Sequence, residues 1–170
     1  MPEASKEKII TITLPTDTYF MSGIRDFTLT MVRNMTGMND QWAYRFQSVV
    51  DELCNNAIEH GSAPGQIISI TFRSIAGEYI ELAVEDTGTG AHVISAKELA
   101  AKVDAAKAAS GQPLSGLRGR GLAQIVSSWT SELRFEDRPE GGLRVIARKD
   151  LSHVEESVVA SPLGFVAAHE

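Results

Sequence analysis

The sequence predicts an α+β fold, a two-layer α/β sandwich in which helices cover one face of a mainly antiparallel sheet. Two observations carry this. Two pairs of β-rich runs flank the turn-rich stretches "SIAGE" and "RPEGG" and read as antiparallel hairpins. Helical patterns fill the intervals before and between them, giving the order β-α-α-ββ-α-α-ββ. At 170 residues, 43% of them apolar and 22% charged, the chain suits a single domain with a substantial core.

In chain order, "IITITLP" alternates and is β-branched, which predicts a strand over Ile9 to Leu14. A helix follows from about Thr18 to Met35, with Ile24, Phe27, Leu29 and Val32 on its buried face. "TGMND" breaks it, and Asn39 or Asp40 can cap a second helix from about Gln41 to His60, which stops at Gly61. "IISITFRSIAGEYIELAVED" makes the first hairpin. "SAKE" fits a capping box, Ser95 with Glu98, and opens a third helix. A Gly-rich turn leads to a fourth helix from about Gly121 to Trp129, and "ELRFED" with "LRVIARK" closes the fold. The reading gives one domain over 1–150 and an extension over 151–170. In the extension, Leu151, Val154 and Val158 make a short apolar stripe that either packs on its own domain or meets a partner.

The net charge of -6 argues against a nucleic-acid backbone or an anionic membrane as partner. A single cysteine, Cys54, excludes an intramolecular disulfide and suits a reducing compartment. The polar start "MPEASKEK" and the lack of a long apolar run predict a soluble, cytoplasmic protein without a membrane span.

The second helix holds an oddity. Phe46, Val49, Val50, Leu53 and Ala57 form its core stripe, while Glu52, Asn56 and His60 line one edge at i, i+4 and i+8. Such a row is either a solvated flank or the wall of a cleft. As a cleft wall it suits metal-phosphate chemistry. A carboxamide oxygen is a hard, neutral ligand for Mg²⁺, and a glutamate one turn away can orient or deprotonate a hydroxyl.

Two glycine stretches bear on that choice. In "VEDTGTG", Asp86 follows a strand and could accept a hydrogen bond from an exocyclic amine such as that of adenine. Gly88 and Gly90 allow a sharp turn or a close ligand approach, although D-x-G also describes ordinary turns. In "LRGRGLAQIV", Gly119 and Gly121 bracket Arg120 where a helix begins. The helix N-terminus makes a phosphate site to which Arg118 or Arg120 could add charge; otherwise this is a solvated connection.

Taken together, E-x-x-x-N on a helix, D-x-G-x-G after a strand and G-x-G-L opening a helix form an ordered set. It resembles the Bergerat-fold ATPases, the superfamily of gyrase, heat-shock chaperone ATPases, mismatch-repair ATPases and sensor histidine kinases, over about residues 9 to 149. "ELCNNAIEHG", "GRGLAQIV" and "GIRDF" resemble, within it, the small anti-sigma factor/serine-protein kinase group. The P-loop pattern G-x-x-x-x-G-K-[ST] is absent.

That resemblance implies ATP and Mg²⁺ as cofactors. It implies Asn56 as the metal ligand, with Asn55 near the nucleotide, and Glu52 as general base toward a serine or threonine hydroxyl. Asp86 would bond the adenine amine, Gly88 and Gly90 would shape its pocket, and Arg118, Gly119, Arg120, Gly121 and Leu122 would close over the phosphates. His60 would be supporting, and Cys54 would pack and stay reduced. The group's partners would be an anti-sigma antagonist protein, which is phosphorylated, and a sigma factor or similar target, bound by a homodimer. The alternative is a nucleotide-binding docking module that regulates stoichiometrically without phosphoryl transfer. Three departures from the group's pattern stand out: Ala91 in place of a bulky apolar residue, Leu143 in place of a threonine that helps hold adenine, and a longer, more helical lid, "ISAKELAAKVDAAKAASGQP".

Overall fold

The computed structural model describes residues 6–109 and 121–152. Strand β1 (Lys8–Pro15) leads through a 3-10 turn (Thr18–Phe20) into α1 (Met21–Thr36) and α2 (Asp40–Asn56). The hairpin of β2 (Ile67–Ile75) and β3 (Tyr79–Glu85) follows, then α3 (Ala96–Ala108). A π-helical stretch (Leu122–Val126) continues into α4 (Ser127–Trp129), and β4 (Glu132–Asp137) with β5 (Leu143–Asp150) completes the regular structure of the described residues. The strands form one antiparallel sheet in the order β1-β2-β3-β5-β4, so the expected α+β fold class is the observed one.

Local signals account for the helix limits. Asp17 caps the 3-10 turn by accepting from the Tyr19 N–H at 2.9 Å. α1 ends where Gly37 takes φ 69°, a left-handed conformation that glycine adopts without strain. Its fully buried face is Met21, Ile24, Thr28, Met31 and Val32, whereas Phe27 and Leu29 are only half-buried. Thr28 is tolerated inside because its hydroxyl donates to the Ile24 carbonyl at 2.7 Å. Of the two possible caps for α2, Asn39 is the one used, its side chain accepting from the Trp42 N–H at 2.9 Å. The Ser95–Glu98 capping box forms as expected.

The core lies between these helices and one face of the sheet. Phe46, Val49, Val50 and Leu53 of α2 share it with Ile68, Ile70 and Phe72 of β2 and Ile80, Leu82 and Val84 of β3. The opposite face is built differently. Arg134 pairs with Glu81 at 3.6 Å and with Glu132 at 3.2 Å, and Arg144 approaches Glu85 and Glu136 at 3.9 Å each. The Arg148 guanidinium lies 3.8 Å from the centre of the Tyr79 ring. Long cationic side chains of this kind shelter apolar surface while their heads stay wet, which suits the burial of Ala83 and Ile146 on that face. Leu151, just past β5, is buried and its N–H donates to the Glu78 carbonyl at 2.8 Å. The rest of the expected terminal stripe, Val154 and Val158, lies outside the described residues. Among the described residues no helix is long and apolar enough to cross a membrane.

Candidate functional site

α2 is the spine of the site. At its last residue, Asn56 Nδ2 donates to both the main-chain carbonyl and Oε1 of Glu52, each at 2.9 Å. This double bond to a residue four positions earlier fixes the rotamers of both side chains and commits the amide nitrogen to Glu52. The carboxamide oxygen, the atom with ligand character, carries no part of that pair. Burial pushes the Glu52 carboxyl above the ordinary range; the Asn56 bond opposes the shift, and Glu59 and Asp51 add to it.

Gly121 sits against the same carboxylate. A Cβ there would lie 1.9 Å from Glu52 Oε1 and 2.2 Å from Cδ. Glycine therefore lets the start of the fourth helical segment reach the Glu52–Asn56 pair, two stretches of chain that the sequence holds far apart. Leu122, the next residue, is buried in the core and anchors that approach. Arg118, Gly119 and Arg120 lie outside the described residues. Asn55 is half-buried on α2, about 100° round the helix from Asn56.

Beyond Asn56 the helix widens. Ala57–Gly61 is a π-helical turn, closed by the Ser62 N–H donating to the Ala57 carbonyl at 2.9 Å. The His60 ring, on this turn, meets His92 edge-on at 5.5 Å.

The far end of this turn holds the second half of the site. A Cβ on Gly61 would fall 2.2 Å from Asp86 Oδ2, and one on Gly90 would fall 2.1 Å from the His60 carbonyl oxygen. Gly90 N–H donates to the Gly61 carbonyl at 3.1 Å, so the loop after β3 is laced to the end of α2. Ser62, 2% exposed, accepts from the Thr87 N–H at 2.9 Å, and Thr89 Oγ1 accepts from the Ala63 N–H at 3.0 Å. Helical rise alone puts Asp86, at Gly61, roughly 13 Å from Glu52, an extent that an outstretched nucleoside triphosphate can bridge.

Asp86 is 5% exposed. Its N–H donates to the Leu143 carbonyl at 3.0 Å, while Oδ1 accepts from the Gly88 N–H at 3.0 Å and the Leu143 N–H at 3.1 Å. Gly88 and Gly142, at φ 68° and 88°, pack backbone to backbone: a Cβ on Gly88 would meet Gly142 N at 2.4 Å. The Leu143 side chain is buried, and it is the main chain at 143 that touches Asp86. Gly61, Asp86, Gly88, Val93, Ile94, Gly142 and Leu143 surround a space of about 10 Å³, the room of one water. Of the two residues that cover this space from the loop, Val93 is 58% exposed and Ile94 packs against the core.

The donor set fits ATP with Mg²⁺. Mg²⁺ is commonly held by one or two protein oxygens together with substrate phosphates, and Asn56 offers one such oxygen. Among the described residues no cluster of three or more His, Cys, Asp or Glu forms an all-protein metal cage. Cys54 is fully buried, and burial followed by the nearby Asp51 pushes its thiol up, so it stays protonated and packs.

Sequence reasoning passed over four participants. Gly61 reads as a helix stop, Arg138 and Gly142 read as parts of a hairpin turn, and Ser62 belongs to no motif. The signal available for Gly142 was the doubled glycine of "RPEGG".

An antiparallel α/β sandwich of this topology is the Bergerat ATPase fold. The sequence profile of the histidine kinase-, DNA gyrase B-, and HSP90-like ATPase family matches residues 43–153, more than half of the chain, and the chain belongs to that ATP-binding family. The match begins at Ala43 inside α2, leaving β1 and α1 outside it. A comparison with the curated proteins finds no match.

Proposed function

We propose that the protein is a Mg²⁺/ATP-dependent serine/threonine protein kinase of the anti-sigma type. It phosphorylates a small antagonist protein and, in its other state, binds a sigma factor or similar regulatory target. The observation that carries this reading is the half-buried Glu52 carboxylate, paired with Asn56 and facing Gly121 at the start of a helix.

Asp86 accepts the adenine 6-amine through its carboxylate, with Gly88 and Gly90 giving the purine its close approach. The carbonyl oxygen of Asn56 is the protein ligand of Mg²⁺, and Arg118, Gly119, Arg120, Gly121 and Leu122 cover the phosphates. Bound Mg²⁺ supplies charge neutralisation on the phosphate oxygens. Glu52 takes the proton of the substrate hydroxyl as that oxygen bonds to the γ-phosphorus and the bond to the ADP oxygen breaks. The carboxyl's raised affinity for protons makes it a stronger base than an exposed glutamate. Partner exchange between nucleotide states would follow from the lid beginning at Ala91, since only differential contacts shift such an equilibrium.

Calorimetric ATP titration with and without Mg²⁺, on wild type and Asn56→Ala, tests the first layer. Mg²⁺-dependent binding that the variant loses supports the cleft, and a folded wild type that binds no ATP overturns it. An acid-stable phosphoprotein formed from γ-labelled ATP supports serine or threonine transfer, whereas an acid-labile one points to a phosphohistidine instead. The buried aliphatic Leu143 favours one further reading, a docking module that holds nucleotide loosely and does not transfer phosphate. Regulation that survives Glu52→Ala would select it.

A further inference from the structure

Asp86 departs from the antiparallel ladder at the end of β3. In a hydrogen-bonded antiparallel pair, two opposed residues exchange both main-chain bonds. Asp86 gives its half to Leu143, N–H to carbonyl at 3.0 Å. The return bond is diverted: the Leu143 N–H goes to the side-chain oxygen Oδ1, at 3.1 Å, rather than to the Asp86 carbonyl. The carboxylate thus occupies a ladder position and is held there, which fixes where its other oxygen points. That substitution leaves the Asp86 main-chain carbonyl without its sheet partner, in a place where an unsatisfied acceptor is costly.

Arg138 takes that carbonyl. Its side chain folds back over its own turn, and Nη1 donates to the Asp86 carbonyl and, at 3.4 Å, to that of Gly141. The guanidinium is steered by Glu85 at 3.8 Å on one side and Glu140 at 3.7 Å on the other. The turn is built to deliver it. Arg138 N–H donates to the Gly142 carbonyl at 2.9 Å, Gly141 N–H donates to the Arg138 carbonyl at 3.0 Å, and Gly141 and Gly142 both take left-handed φ. A Cβ at Gly142 would lie 2.3 Å from the Asp86 carbonyl oxygen and 2.6 Å from Oδ1, so the exchange of ladder partners requires glycine there as well.

We infer that Arg138 is a positioning residue for base recognition: by satisfying the Asp86 carbonyl it holds the Asp86 carboxylate in the ladder, aimed at the exocyclic amine of the bound purine. Without the guanidinium, the Leu143 N–H returns to the Asp86 carbonyl, Oδ1 loses one of its two donors, and the carboxylate turns free. The inference rests on the ATP-binding reading above and extends it to a residue that touches no ligand.

The test compares ATP with purine riboside triphosphate, which lacks the 6-amine, by calorimetry on the full chain. Wild type should prefer ATP by roughly ten- to a hundredfold, the worth of one hydrogen bond to a charged acceptor. In Arg138→Ala that preference should narrow by roughly three- to tenfold, as expected of directly coupled groups. Arg138→Lys, which keeps the charge but cannot span two carbonyls, should fall between. Equal weakening of both nucleotides in Arg138→Ala, with the preference intact, overturns the inference and leaves a merely structural arginine. If Arg138→Ala does not fold, the preference measured in Arg138→Lys decides the matter by the same criterion. A folded wild type that binds neither nucleotide overturns the ATP reading itself; a wild type that binds ATP without preference leaves ATP binding standing and overturns the Asp86–amine contact and the inference with it.

Discussion

Glu52 is subject to two opposed demands. Burial raises its proton affinity, with Glu59 and Asp51 adding to the shift against the Asn56 bond, so the folded protein holds this proton more tightly than the unfolded chain does. Wherever the folded state binds more protons, stability falls as pH rises. The contribution of Glu52 is therefore intact below the ordinary carboxylate range and is lost as pH climbs through the raised value. Glu52→Gln removes that penalty, so urea unfolding should show it at least as stable as wild type at neutral pH, with any advantage vanishing under acid conditions. The same substitution should leave ATP binding in place and lower phosphoryl transfer by about 10²- to 10⁴-fold, the usual worth of a general base. In wild type, transfer should decline as acidification protonates Glu52, at a pH above that of an exposed glutamate.

At the scale of elements, the meeting of α2 with the fourth helical segment depends on one missing methyl group. Gly121 has ordinary helical dihedrals, φ -64° and ψ -38°, so alanine there is unstrained in the backbone and gains up to about 1 kcal/mol in helix propensity. Its Cβ would nonetheless land on the tip of Glu52, a group that can move aside. Gly121→Ala should thus unfold at an equal or higher urea concentration while phosphoryl transfer drops by roughly ten- to a hundredfold, since a displacement of about 1 Å at a reacting group is enough for that loss. A variant that loses stability and keeps its rate would show that this contact shapes the fold and not the base. The π-helical turn at Ala57–Gly61 also belongs to this scale. It brings Gly61 against Asp86 and allows the loop after β3 to lace onto α2 through Gly90, Ser62 and Thr89.

For the whole molecule, the core and the cleft are separable. Leu82 is fully buried at the middle of the central strand β3, and Leu82→Ala should cost about 2–5 kcal/mol of unfolding free energy measured in urea. Because Leu82 touches the helix-facing core and not the Asp86 ladder, nucleotide affinity measured well below the unfolding transition should stay at the wild-type value. Much of this architecture was legible in the chain. Alternation in "IITITLP", a cap for α2 at Asn39 or Asp40, the Ser95–Glu98 box and the turn stretches of both hairpins are local signals, each acting within a few residues. The polar edge of α2 was legible for the same reason, since helical periodicity places Glu52 beside Asn56 wherever the helix goes. The sequence by itself thus determined the elements, the order of the three motifs and the ATPase family. Only the tertiary structure decided that the His60 ring meets His92, that Gly61 and Gly142 make room for Asp86, and that Arg138 takes a carbonyl 52 positions away. Those outcomes follow from the β3–β5 register and from a widened helical turn, which depend on how distant segments pack and leave no periodic trace in the chain.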